Sequence, residues 1–207
     1  MKRRRIVLVL FGLSAPRAVT AQSNIFDLRF FEHDRHGRLV YQFFSYSRLL
    51  ADGRYVVEAF HLRLPTAKYT ESGIGAGFTP SVVKHLSTTV LAQFARGSDA
   101  TYFEPALALS AANGRVASSL FVQRYTPIDS RGATQWLVDP LDIQLSVGPR
   151  VSVGVSSYYW RPQGGPALTK VGGIIGLTIS SAVVQVAVRR VNQGAGLNTQ
   201  LRTTVSF

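Results

Sequence analysis

The strongest constraint on this 207-residue chain is an alternation of apolar and polar side chains with period two. It recurs from about residue 24 to the C-terminus. In "RVSVGVSSYYW", Val151, Val153, Val155 and Tyr159 share one face, and Ser152, Gly154, Ser156 and Tyr158 share the other. In "SAVVQVAVRR", Val184, Val186 and Val188 oppose Gln185, Ala187 and Arg189. Successive side chains of a strand point to opposite faces, so this period predicts strands and argues against helices. Gly, Pro, Asn and Asp break the pattern. Twelve segments result, near 24–32, 38–49, 54–64, 69–78, 82–95, 101–111, 115–125, 134–147, 150–160, 170–179, 182–190 and 198–207. The second and third are poorly phased, because "RLVYQFFSYSRLL" is apolar on both faces, so ten strands is the alternative count. No linker, repeat or low-complexity tract marks a second domain.

That much strand far exceeds the roughly 20–25% of an ordinary globular domain. A closed barrel accounts for the excess, since closure removes the exposed sheet edges. The connections support closure. "ADGR", "TPS", "ANGR", "GPR" and "SS", which follow even-numbered strands, are short. Those after odd-numbered strands are on the whole longer, most clearly "TPIDSRGA", "RPQGGPALT" and "VNQGAGL". Short turns at one end and long loops at the other predict an all-β, single closed antiparallel up-and-down transmembrane β-barrel with both termini at the short-turn end.

The two chain ends carry further signals. "MKRRR", then the apolar "IVLVLFGLSAP", then "VTA" up to Ala21 has the order of a cleaved secretory signal peptide. The reading is therefore 1–21 signal peptide and 22–207 barrel domain. Lys2, Arg3, Arg4, Arg5 and Arg17 lie in the leader and no acid does, which lowers the net charge from +12 to +7 in the mature chain. Export argues against a nucleic-acid partner, as does the dispersal of the remaining basic residues. With no cysteine there is neither a disulfide framework nor a thiolate metal site. His33-x-x-His36, in "EHDRHGR", reads as a turn, and no cofactor is implied.

The last ten residues, "NTQLRTTVSF", place Leu201, Thr203, Val205 and Phe207 on one face and end on an aromatic residue. With the leader and the strand rhythm, this resembles Gram-negative outer-membrane β-barrel proteins. The resemblance implies that those four residues form the signal read by the barrel-assembly machinery. It also implies periplasmic chaperones during biogenesis, contact with outer-membrane lipid, and termini in the periplasm.

In lipid the apolar faces must point outward and the polar faces inward. The inner face then holds Asp27, Arg29, Glu71, Glu104, Gln123, Asp142, Gln144, Arg150, Gln185, Arg189, Gln200 and Arg202, with Gly73, Gly75 and Gly77 leaving room on one strand. Buried charges of both signs predict ion pairing across the lumen. Tyr158, Tyr159, Trp160, Trp136 and Tyr125 near the longer loops suggest an interfacial aromatic girdle. A net-basic wall, with Arg189 and Arg202 forming a strip, predicts an anion preference.

Three functions fit this reading. The first is a small channel for small solutes, with anionic ones among the candidates; in size and strand number the chain is similar to the narrow monomeric porins that admit acidic sugars. The second is a plugged structural or adhesive barrel. The third is a lipid hydrolase. His85 and Ser87 in "KHLSTT" match part of the His-x-Ser-Asn pattern of the outer-membrane phospholipase A and lipid A deacylase. Thr88 stands where those families have Asn, and no group is placed to orient the histidine, so the reading is of a non-enzyme.

Overall fold

The computed structural model describes residues 24–51, 53–80, 85–129, 131–193 and 196–207, without the side chains of 26–31. The leader lies outside the described residues. Twelve strands follow one another: β1 (Asn24–His33), β2 (Leu39–Leu50), β3 (Tyr55–Leu64), β4 (Tyr69–Phe78), β5 (Leu86–Gly97), β6 (Thr101–Asn113), β7 (Val116–Pro127), β8 (Gln135–Ser146), β9 (Val151–Pro162), β10 (Leu168–Ile179), β11 (Ala182–Val191) and β12 (Leu197–Ser206). Each pairs antiparallel with its sequence neighbour, and β1 closes on β12. The count is twelve, and most boundaries agree with the alternation to within two residues. The largest difference is at β5, which starts at Leu86, because His85 takes a left-handed φ of 76° in the turn before it.

The closing seam takes in Phe207 through its backbone. Asn24 and Phe207 exchange two backbone hydrogen bonds, each 3.0 Å, so the last residue continues the ladder against the first described one. The pairing of β1 with β12, interrupted by a register shift between Leu28 and Glu32, closes the sheet as a membrane-spanning barrel requires.

Burial alternates along the strands in the sense expected for lipid. Ile74, Ile175, Val155, Val90 and Phe94 face outward, with Ile74 69% and Ile175 60% exposed. Gln93, Glu104, Gln123, Gln185 and Gln200 face inward and are buried. Such a broad exposed apolar surface is a liability in water and a requirement in a bilayer. The poorly phased β2 resolves the same way. Phe43 turns inward and stacks on Phe60 at 6.0 Å, whereas Phe44 turns outward beside His61 at 5.1 Å. In β4 the inward glycines admit bulky neighbours. A Cβ on Gly73 would lie 2.4 Å from the Phe60 ring, and one on Gly77 would lie 2.6 Å from Leu91.

Two parts of the girdle expectation fail. Tyr158 and Trp160 line the lumen and Tyr125 is buried in it, so only Trp136 and Tyr159 remain on the outer face. Tyr158 and Trp160 share the parity of the inward Ser156, and that parity overrides their position near a loop.

Candidate functional site

A chamber of about 880 Å³ opens at the loop end of the barrel. Its rim includes Asp34, Arg35, His36 and Arg38 from the β1–β2 loop, Thr66 and Ala67 from the β3–β4 loop, and Ser98 and Asp99 from the β5–β6 loop. The Asp34 carboxylate organises its loop by accepting from the His36 and Arg38 N–H groups at 2.8 and 3.0 Å and from Arg38 Nε at 2.7 Å. Desolvation pushes this carboxyl up, but the contacts from Arg38 and His36 outweigh it and hold the group at about 2. Deeper, the wall is aromatic and polar: Tyr41, Phe60, Tyr69, Tyr125, Tyr158 and Trp160 beside Glu58, Glu71, Gln93, Gln123, Asp139 and Lys170.

Toward the turn end the lumen is packed. Ile25, Val56, Leu91, Ala106 and Phe121 form a buried apolar cluster, with Leu49 and Ala108 against it. Phe121 also lines the chamber, so it sits where open space meets the packed half. Across from the cluster, Ser152 Oγ donates to Gln144 Oε1 at 2.8 Å and Gln185 Nε2 donates to the same oxygen at 3.3 Å.

Two sectors of the wall treat charge differently. From β8 round to β1, three cations meet three carboxylates. Lys170 and Arg189 pair with Glu32 from β1, the latter at 3.3 Å. Arg189 and Arg202 both reach Asp139 of β8, at 3.6 and 3.7 Å. Arg202 donates to Asp142 at 2.5 Å and Asn198 donates to Glu32. Gln200 Oε1 accepts from both arginines at 2.6 Å. Since β8 borders neither β11 nor β12, these pairs cross the lumen. Lys170 also lies 4.4 Å over the Tyr158 ring.

Among the described side chains, the lumen face of β4 to β7 has carboxylates without cations. Glu71 accepts from the Tyr69 hydroxyl. Glu104 accepts from Gln123 Nε2 at 2.6 Å, and Gln123 also donates to Gln93 at 3.1 Å. One oxygen of Glu71 and one of Glu104 has no hydrogen-bond partner, and both side chains are fully buried.

The sequence-derived lumen residues sort accordingly. Glu71, Glu104, Gln123, Asp142, Gln144, Gln185, Arg189, Gln200 and Arg202 lie inside. Arg150 does not: it sits exposed in the turn before β9, one step beyond the strand whose parity placed it inward. The side chains of Asp27 and Arg29 lie outside the described residues. The net-basic wall is also corrected. Among the described residues, Glu32, Glu58, Glu71, Glu104, Asp139 and Asp142 are buried against only Lys170, Arg189 and Arg202. The chain's basic excess is on the outside and in the connections. Leu201, Thr203, Val205 and Phe207 share the outward parity of β12, whereas Asn198, Gln200, Arg202 and Thr204 are buried.

His85 and Ser87 are not brought together as a strand pair. Ser87 faces inward from β5, whereas His85 is exposed in the preceding turn. His33 and His36 belong to no metal-binding group of three or more His, Cys, Asp or Glu among the described residues.

Twelve antiparallel strands closed in sequence order, an apolar outer belt and a polar chamber define the class: the fold is that of the outer-membrane β-barrels. Solved structures share it at low identity. The KdgM porin matches at 12% identity with a TM-score of 0.62, over 88% of this chain and 99% of that one. The NanC porin matches at 9% and 0.61, over 88% and 98%. KdgM solved in complex with disordered oligogalacturonate matches at 13% and 0.63, over 88% and 99%. No family model matches the chain, and no curated protein sequence matches it.

Proposed function

We propose that the protein is an outer-membrane channel of the porin kind, admitting small polar solutes through its loop-end chamber. The observation that carries this reading is a hydrated-size chamber, about 880 Å³ and walled by polar and aromatic side chains, inside a barrel whose outside is apolar. A solute-sized, chemically varied cavity is what a binding or transit site needs. The porin folds of KdgM and NanC support the same architecture. The long-loop end faces outward and the termini face the periplasm in this reading, and Leu201, Thr203, Val205 and Phe207 serve as the assembly signal.

Anion preference loses its basis, because Arg189 and Arg202 are neutralised by Glu32, Asp139 and Asp142. Glu58 and Glu71 line the chamber, where carboxylate charge concentrates cations instead. The apolar cluster around Phe121 favours a second reading, a barrel closed on its turn side that binds a solute without passing it.

Planar-bilayer recording separates the two. A channel gives unitary conductance, and Phe121→Ala with Leu91→Ala raises it by removing the packed constriction. A wild-type barrel that inserts but conducts nothing leaves only the closed reading.

A further inference from the structure

The outer face carries a charge pattern that a channel does not need. Among the described side chains, every Asp and Glu lies in the lumen or in a loop-end connection, and every charged residue on the outer face of a strand is arginine. Five of these six stand near the loop-side ends of odd-numbered strands: Arg63, Arg96, Arg124, Arg161 and Arg190 on β3, β5, β7, β9 and β11. Only Arg48 stands near the turn side. Four of the five terminate an outward run that is mainly apolar, and Arg124 stands one outward position before the end of β7. On β5 the run reads Leu86, Thr88, Val90, Ala92, Phe94 and then Arg96; on β11 it reads Val184, Val186, Val188 and then Arg190.

Arginine facing lipid is costly at the midplane and nearly free at the interface. The margin of the apolar belt is therefore where arginines are tolerated. The turn end also has Arg54, Arg115 and Arg150, but in its turns and not on the strand faces. Tolerance alone does not explain why five of the six strand-borne arginines stand at one end, or why no described carboxylate shares the outer face. A layer of fixed negative charge around the loop end explains both.

The tightest arrangement is on β7, β8 and β9. Trp136 pairs across the sheet with Arg124 on one side and Arg161 on the other. Two strand spacings set the arginine backbones roughly 10 Å apart. The Arg124 guanidinium lies 5.6 Å from the Trp136 ring centre. Neither arginine has an ion pair among the described residues, whereas Arg96 and Arg131 share Asp129 at 3.6 and 3.1 Å. Two unpaired guanidinium groups flanking an interfacial indole form a fork suited to bidentate contact with phosphate oxygens.

We propose that Arg124 and Arg161, with Trp136 between them, hold the phosphate of an anionic lipid in the leaflet around the loop end, and that Arg63, Arg96 and Arg190 extend the contact round the barrel. The proposal rests on the membrane-barrel reading. Lipid is the occupant because the fork faces sideways at the margin of the apolar belt, where acyl chains and a head group would each meet their complement.

The test uses the full chain folded in micelles of phosphatidylcholine and detergent doped with diphosphoryl lipid A, with retained lipid counted by native mass spectrometry. The wild type is expected to retain diphosphoryl lipid A over phosphatidylcholine. Arg124→Gln with Arg161→Gln is expected to lose about tenfold in retention, as the removal of charge-assisted bidentate contacts implies. Arg48→Gln with Arg54→Gln, at the turn end, is expected to retain as the wild type does. Arg124→Lys with Arg161→Lys keeps the charge but loses the fork, and is expected to fall between. Equal retention by the loop-side and wild-type proteins overturns the proposal, as does displacement of the lipid by millimolar inorganic phosphate, which would make the site a general anion site. Heat-modifiable gel migration reports the barrel separately. A folded, bilayer-inserted protein without lipid A retention defeats the lipid site alone, whereas a chain that inserts into no bilayer defeats the barrel reading with it.

Discussion

Two sectors of one wall, β8 to β1 and β4 to β7, face the same lumen with opposite solutions to buried charge. In the first, Lys170, Arg189 and Arg202 are matched by Glu32, Asp139 and Asp142 across the lumen. In the second, Glu71 and Glu104 are supported, among the described residues, by Tyr69 and Gln123. Pairing across the lumen ties distant strands together and leaves little charge for a solute to meet. The carboxyls of the second sector contribute little to holding the barrel; Glu71 lines the chamber, whereas Glu104 is fully buried outside its lining. One sector is therefore read as structural, and Glu71 of the other as the group a solute encounters.

The largest expected effect breaks the paired sector. Arg189→Ala removes a fully buried guanidinium from between Glu32 and Asp139. It is expected to cost about 3–5 kcal/mol of unfolding free energy, the usual penalty of stranding buried charge. Urea unfolding in vesicles measures this, and a loss below 1 kcal/mol, on the order of one ordinary hydrogen bond, would mean that the pairs are not structural.

Next in size is a test of the two faces against each other. Val186 is exposed on the outer face of β11, and Gln185 is buried inside, opposite Arg202. Val186→Arg is expected to cost roughly 2–4 kcal/mol in a bilayer. Gln185→Arg is not the tolerated change that a polar, open lumen would allow, because it adds a cation beside Arg202. Val186→Arg without effect on insertion would mean that β11 does not face lipid.

Much of this was legible in the sequence, because period two belongs to each strand separately and needs no knowledge of its neighbours. Strand number, closure and the inward set from Glu71 to Arg202, Arg150 excepted, followed from it. What was missed lies where parity fails or where partners are distant. Glu32 and Asp139 sit at register shifts on β1 and β8, so counting by twos does not place them. Lys170 lies at the start of its segment, although it shares the inward parity of Gly172 and Gly176. Glu58 lies on a poorly phased strand. The pairing of Arg202 with Asp142 depends on strand tilt and barrel width, which no single strand encodes. The sign of the wall was misjudged because net charge averages both surfaces, and the arginines of the outer rim carry much of the excess.

The smallest structural effect is expected in the unpaired sector. Glu104→Gln keeps an acceptor for Gln123 and relieves repulsion with Glu71, so stability should change by less than about 1 kcal/mol. A loss as large as that of Arg189→Ala would erase the difference between the sectors.

The most direct test of the account is the reversal potential of the wild type and of Glu71→Gln, measured in a planar bilayer under a salt gradient. Wild-type current is expected to favour cations, and the variant to lose much of that preference while keeping its folded barrel. An anion-selective wild type, or a cation preference that the variant leaves intact, would contradict the assignment of Glu71 to the solute-facing wall.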